Sequence, residues 1–393
     1  MQRSTDRILT THVGSLPRPA ALRDALRARH FGQAYDEAAF ARLCADAVNE
    51  AVAQQVAAGI DIVSDGEMSK AAYTSYVKHR MSGFSDAPPP GKTVPARPSN
   101  LADWADHPDF MAAYMQKRAP ATVPPPCCTG PLSYADRRPL EFDLANLKDA
   151  VQRGGARAAF MTAATPGVLV MFQPNAYYRD EDSYVAALAD AMRTEYEAIH
   201  RAGFILQLDA PDLAVGRLMW PEVKTDADFI KIAERNLAAL NHATANIPPE
   251  AMRLHICWGN YHGPHTHDFP VAKLFGVLAK ARPQALSFEG ANPRHDHEWE
   301  DWRSAKLPDD KILIPGVIDS TVNFVEHPRL VAQRIARYAD IVGRERVIAG
   351  VDCGFGTFGL QETTVFPSIV WSKLKALSEG ARMASERLWR PRA

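Results

Sequence analysis

Eight short apolar runs, beginning near residues 8, 60, 158, 204, 253, 285, 312 and 347, alternate with stretches of helical composition, and this alternation constrains the fold more than any other feature. Most of the runs are apolar on both faces, the pattern of parallel strands covered on two sides. Helices are expected over 36–58, 180–202, 227–245, 271–280, near 299, 328–342 and 367–384. Strand–helix units repeated eight times predict an α/β fold, a (β/α)8 TIM barrel. The competing fold, a doubly wound open sheet, calls for a glycine-rich phosphate turn after its first strand, and Gly14-Ser15 carries no G-x-G-x-x-G pattern. Residues 83–140 break the rhythm with Pro88, Pro95, Pro98, Pro124 and Pro131 among them. Proline removes donors from regular ladders, so this segment reads as an insertion or lid between strands 2 and 3 of one barrel domain covering 1–393.

A barrel places its chemistry at the carboxyl ends of its strands. Residues 253–260 (Arg-Leu-His-Ile-Cys-Trp-Gly-Asn) put His255 and Cys257 two apart in an apolar run, where strand alternation turns both side chains to one face. An imidazole and a thiol aimed at one point suit Zn²⁺, which takes nitrogen and sulfur ligands in tetrahedral sites. A His-x-Cys pair alone is more often a packing feature than a ligand pair, because a free thiol behaves as a small hydrophobe. Glu289 and Cys353, at the ends of strands six and eight, complete a candidate His-Cys-Glu-Cys site. Other polar residues fall at the same level: His12 and Ser15 after strand one, Asp65 and Glu67 after two, Gln207 and Asp209 on four, Asp319 after seven.

The charge balance bears on partners. A formal net charge of −1 over 393 residues argues against a nucleic-acid or anionic-membrane binder and directs attention to small molecules. No run of about 18 apolar residues occurs and the first residues lack the apolar core of a secretory signal, so a cytoplasmic protein is expected. Five cysteines, an odd and sparse set, do not make a disulfide framework and leave thiols for a metal. Cys127-Cys128 reads as packing. Nothing in the chain specifies an oligomeric state.

Residues 11–18 (Thr-His-Val-Gly-Ser-Leu-Pro-Arg), 207–211 (Gln-Leu-Asp-Ala-Pro), His255-Ile-Cys257, Glu289 and Asp352-Cys-Gly354 occur in the order of the cobalamin-independent methionine synthase family. The chain resembles that family's catalytic barrel and its single-barrel relatives, epoxyalkane:coenzyme M transferases included. The resemblance implies a catalytic zinc on His255, Cys257, Glu289 and Cys353, with Ser15, Glu67 and Asp209 holding the amino-acid part of homocysteine. It implies transfer of a methyl or other alkyl group to a thiol, the thiol and the alkyl donor being small molecules and a methyl-folate one candidate donor. A thiol bound to zinc is deprotonated outright and becomes a nucleophile. Glu289 would be the labile ligand.

The chain departs from the family at one point. Where methionine synthases have a His after the seventh strand, it has residues 319–323 (Asp-Ser-Thr-Val-Asn). His12, Asp319 or a loop histidine (His262, His265, His267, His295, His297) is then a candidate proton donor. Two alternatives to methionine synthase chemistry stay open: epoxide opening by a zinc-bound thiolate, and a thiol methyltransferase partnered by a corrinoid protein. Carboxylates at 67 and 209 would attract an ammonium and repel a sulfonate, which favours an amino thiol as acceptor.

Overall fold

Six strands, β2 (Ile62–Val63), β5 (Ala158–Ala164), β6 (Ile205–Asp209), β7 (Met252–His255), β8 (Ala285–Phe288) and β9 (Ile312–Pro315), pair in that order as a curled parallel sheet. Two more, β1 (Leu9–Thr10) and β10 (Ile348–Ala349), pair with each other, also in parallel. Single bridges run from Thr11 to Ile62 and from Leu313 to Val347, linking this pair to both edges of the six-stranded sheet. These eight strands begin where the sequence places them. The protein is described here from a computed structural model, over residues 1–92, 94, 101–118 and 125–390. Pro95, Pro98 and Pro124 lie outside the described residues.

Long helices follow the strands because each has an apolar stripe to bury and a start signal. Asp36 caps α2 (Glu37–Ala57) by accepting from the Ala39 amide, and Asp180 does the same for the helix Glu181–Arg201 through Ser183. Thr225 and Asp228 form a reciprocal capping box on the helix Asp226–Ala243. Among the described residues, five helices were not foreseen: α1 (Ala20–His30), and those over Leu101–Asp106, Pro108–Arg118, Arg138–Gly154 and Pro166–Phe172. The last is buried almost throughout, so it carries no polar face to betray a helical period. The expected helix at 271–280 is a 3₁₀ turn, Val271–Leu274, running into one α-turn, Phe275–Leu278, and the one near 299 is a 3₁₀ segment, Asp296–Ser304.

Within 83–140 the described residues form the antiparallel pair β3 (Met81–Ser85) and β4 (Cys127–Tyr134), and the helices Leu101–Asp106 and Pro108–Arg118. Cys127 and Cys128 are buried in β4, as packing residues are.

The core has two parts. A large cluster lies between sheet and helices, and a separate small one gathers Leu9, Ile62, Phe160, Ala285, Ile312, Ile314 and Ile348, side chains from β1, β2, β5, β8, β9 and β10 turned to one common interior. Arg253 crosses that interior. Its guanidinium lies 3.4 Å over the Phe160 ring and donates to Gln207 Oε1, Thr11 Oγ1 and the His12 carbonyl at 2.7, 2.8 and 2.7 Å. Register then aligns the chemistry: Asp209 is opposite His255, and His255 opposite Ser287.

Candidate functional site

His255 ends β7 and Cys257 lies two residues further on, while Cys353 follows β10. Among the described residues, these three form the group of His, Cys, Asp or Glu side chains whose ligand atoms all lie within 4.8 Å of one another. All three are buried, and neither ring nitrogen of His255 meets a partner in full hydrogen-bond geometry, although the Cys353 sulfur lies near enough to favour the protonated ring. Two unpartnered nitrogens in the interior are costly unless something else fills them. The Cys257 and Cys353 sulfurs stand 3.5 Å apart. Two sulfurs each about 2.3 Å from a tetrahedral zinc would be about 3.8 Å apart. The residues therefore fit a thiolate-binding metal. The two thiols oppose each other: a hydrogen bond from Cys257 holds Cys353 down at about 6, and Cys257 is pushed well above its ordinary range by the same contact and by burial. The Gly259 amide also donates to Cys257 Sγ, at 3.3 Å.

Glu289, the fourth expected ligand, is adjacent to the trio but not one of the group. Its Oε1 accepts from the Trp258 amide at 2.8 Å, and its Oε2 accepts from Asn292 Nδ2 at 2.8 Å and Arg294 Nη2 at 2.6 Å. Burial pushes this carboxyl upward, but Arg294 and His295 outweigh that and hold it below its ordinary value.

The trio opens on a cavity of about 920 Å³ whose wall includes Ser15, Glu67 and Asp209. Glu67 sits at φ +57°, in the left-handed region that a side chain rarely adopts. Its Oε1 accepts from Thr162 Oγ1 at 2.9 Å, while its buried Oε2 has no hydrogen-bond partner, the nearest cation being Arg18 at 3.9 Å. Lys70, itself buried, donates to Thr162 and fixes it under Glu67. Asp209 is raised to about 7, first by burial and then by Glu67, against the Gln207 amide that donates to it at 2.8 Å. Ser15 accepts from the Gly356 amide at 3.3 Å, and Gly354 lies so close that a Cβ there would meet Ser15 Oγ at 1.9 Å. Glu67 and Asp209 thus bring two carboxyl groups to one cavity wall, Glu67 with one oxygen unpartnered.

The candidate proton donors are placed elsewhere. His12 lies outside the cavity wall; its Nε2 meets Gln55 Oε1 at 2.7 Å, its Nδ1 accepts from the Gly14 amide, and burial holds it down at about 4. Both ring nitrogens of His12 are thus engaged within the fold. Asp319 accepts from the Thr321 amide and hydroxyl at 2.6 and 2.8 Å and also lies off the wall. Among the loop histidines, His265 and His295 both pair with Asp268, His295 also with Glu298, and His267 pairs with Asp106. Asp65 caps the turn by accepting from the Glu67 amide.

Several wall residues escaped the sequence reading. Gln173 is 1% exposed, and neither end of its amide has a hydrogen-bond partner. It follows the unforeseen helix Pro166–Phe172, so no motif drew attention to it. Tyr73 and Trp104 add aromatic wall. Asn260 ties two rim loops together by donating to the Gly354 carbonyl and to Thr357 Oγ1 at 2.6 and 2.7 Å; its place three residues after Cys257 was the available signal.

Comparison with known proteins gives consistent likenesses. Residues 8–97 match the family described as cobalamin-independent synthase, catalytic domain. A methionine synthase of Saccharolobus solfataricus is 24% identical over 387 residues, covering 97% of this chain and 96% of that protein. One from Sulfolobus acidocaldarius is 23% identical over 348 residues, 88% of this chain and 85% of that one. Among solved structures, a B12-independent methionine synthase from a Shewanella species, in complex with selenomethionine, superposes with a TM-score of 0.72 at 18% identity, covering 97% of this chain and 99% of that one. This last is a likeness of fold.

Proposed function

We infer from these likenesses that the chain belongs to the cobalamin-independent methionine synthase family, and we propose that it is a zinc-dependent methyltransferase that alkylates the sulfur of homocysteine. The observation that carries the reading is the convergence of His255, Cys257 and Cys353 at the head of a cavity whose wall also bears Glu67 and Asp209. His255 and the two cysteines would hold the ion, with Glu289 as its labile fourth ligand. Bound zinc would supply one thing, a substrate sulfur kept as thiolate at neutral pH.

The chain's own residues do the rest. Glu67 and Asp209 grip the ammonium of the amino thiol and Ser15 its carboxylate end, so that the sulfur reaches toward the trio. The aromatic wall excludes water from the transfer. The same two carboxylates would repel a sulfonate, which disfavours the coenzyme M reading.

The interior cluster and the two single bridges support a closed (β/α)8 barrel as the scaffold. We read the chain as one barrel domain with 83–140 as its insertion. A lid role for the described part of that segment is supported by Asp103, which accepts from the Thr266 amide and hydroxyl at 2.7 and 2.6 Å, and by Trp104 and Tyr114 on the cavity wall. Among the described residues no helix is long and apolar enough to cross a membrane, which fits the cytoplasmic expectation.

Incubation of the purified protein with homocysteine and either a methyl-folate, methylcobalamin or an epoxyalkane tests the reading. Methionine formed with one of the methyl donors supports it; thioether formed from the epoxide alone overturns it.

A further inference from the structure

Glu289 is the expected ligand that the site does not leave free, and the groups holding it are themselves fixed. Arg294 donates through Nε to Asn292 Oδ1 at 3.1 Å and through Nη1 to the Gly259 carbonyl at 3.4 Å, with Asp268 3.9 Å away. Asn292 donates to Asp352 Oδ2 at 2.7 Å, and Asp352 in turn accepts from the Gly290, Ala291 and Asn292 amides. The side chains of Glu289 and Arg294 are only 1% and 13% exposed. A buried carboxylate that is not on a metal needs a cation and directed donors, or its desolvation goes uncompensated. Here all three donors stand ready.

We propose that the Trp258 amide, Asn292 and Arg294 form a second berth for Glu289, which competes with the metal for that carboxylate and so sets how readily the fourth metal position opens to a substrate sulfur. Arg294 is on this view a positioning residue: it acts through Glu289. The proposal rests on the zinc reading above and adds to it a residue pair that tunes the site. It accounts for a tethered arginine directed at an expected ligand, an arrangement that would otherwise only weaken the site. A salt bridge maintained purely for stability would predict the opposite response to its removal.

The test uses the full chain and its Arg294→Met, Arg294→Lys, Asn292→Ala and Glu289→Gln variants. Two readouts are taken: zinc affinity by competition with a chelator, and the visible spectrum of the cobalt-substituted protein titrated with homocysteine. Freed from its berth, Glu289 should stay on the metal, so Arg294→Met is expected to bind zinc about tenfold more tightly and to need about tenfold more homocysteine to change the cobalt spectrum. Arg294→Lys should stay near wild type, and Asn292→Ala should shift the same way by less. Zinc binding unchanged or weaker in both Arg294→Met and Asn292→Ala overturns the proposal; if Arg294→Met does not fold, Asn292→Ala decides alone by the same criterion. Glu289→Gln separates the two levels of argument. If it leaves the thiol-free cobalt spectrum unchanged, Glu289 is no ligand and the reading beneath the proposal fails. If it changes that spectrum while the berth variants behave as wild type, only the berth fails.

Discussion

Cys353 is the residue on which the chemistry turns, because a thiol held at about 6 by its neighbour's hydrogen bond is already half prepared to ligate a metal. Cys353→Ser keeps the shape and removes the soft donor. It is expected to weaken zinc binding by more than about a hundredfold, beyond the range typical for changes outside the ligand shell, as read by chelator competition. Asp209 gives a pH signature. Raised to about 7 by burial and Glu67, it is neutral below that value and has no charge with which to hold an ammonium. KM for homocysteine, measured at saturating zinc, should therefore rise as pH falls from 8 to 6 and be flat in Asp209→Asn. The same shift lowers stability: between the ordinary carboxylate pKa and 7 the unfolded chain carries the ionised form that the folded one resists, so stability falls as pH rises through that window. Asp209→Asn should accordingly raise the melting temperature at pH 8 while abolishing tight binding of the amino thiol.

Single elements hold these residues in place, and two substitutions probe how. Gly14, after β1, sits at φ +134°, and a Cβ there would meet Thr162 Cγ2 at 2.6 Å and Glu67 Oε1 at 3.3 Å. Gly14→Ala should cost about 1–3 kcal/mol by denaturant unfolding and raise KM for homocysteine without changing zinc affinity. Arg253→Met would leave Gln207 Oε1, Thr11 Oγ1 and the His12 carbonyl without their charged donor inside the sheet, at a cost of about 3 kcal/mol or more. Elements with strong local signals were legible: β5 to β9 from continuous apolar runs, α2 from apolar residues such as Phe40, Leu43, Ala47, Val48 and Val52 in a stretch of helical composition, and the helix Glu181–Arg201 from its composition between two strands. The helix Pro166–Phe172 was not, because burial on every side erases periodicity, and with it Gln173 went unnoticed. His12 and Asp319 were chosen for their position at the strand ends alone. What their nitrogens and oxygens bond to is decided by Gln55, Gly14 and Thr321, and contacts of that kind are set by packing that no spacing rule records.

At the scale of the whole molecule, β7 and β10 lie about a hundred residues apart in the chain, and only the curling of the parallel sheet brings Cys353 to the His255–Cys257 face. That convergence was legible because barrel strands all deliver their carboxyl ends to one rim. The orientation of Glu289 toward Arg294 was not, since one carboxylate rotation separates a ligand from an ion pair. The central claim is that this rim holds one zinc with a position left for the sulfur of a substrate. X-ray absorption at the zinc edge of protein purified without chelator, recorded with and without homocysteine, tests it most directly. The account predicts close to one zinc per chain, with two sulfur scatterers at about 2.3 Å becoming three when homocysteine is added. Absence of bound zinc, or a sulfur count that stays at two, would contradict it.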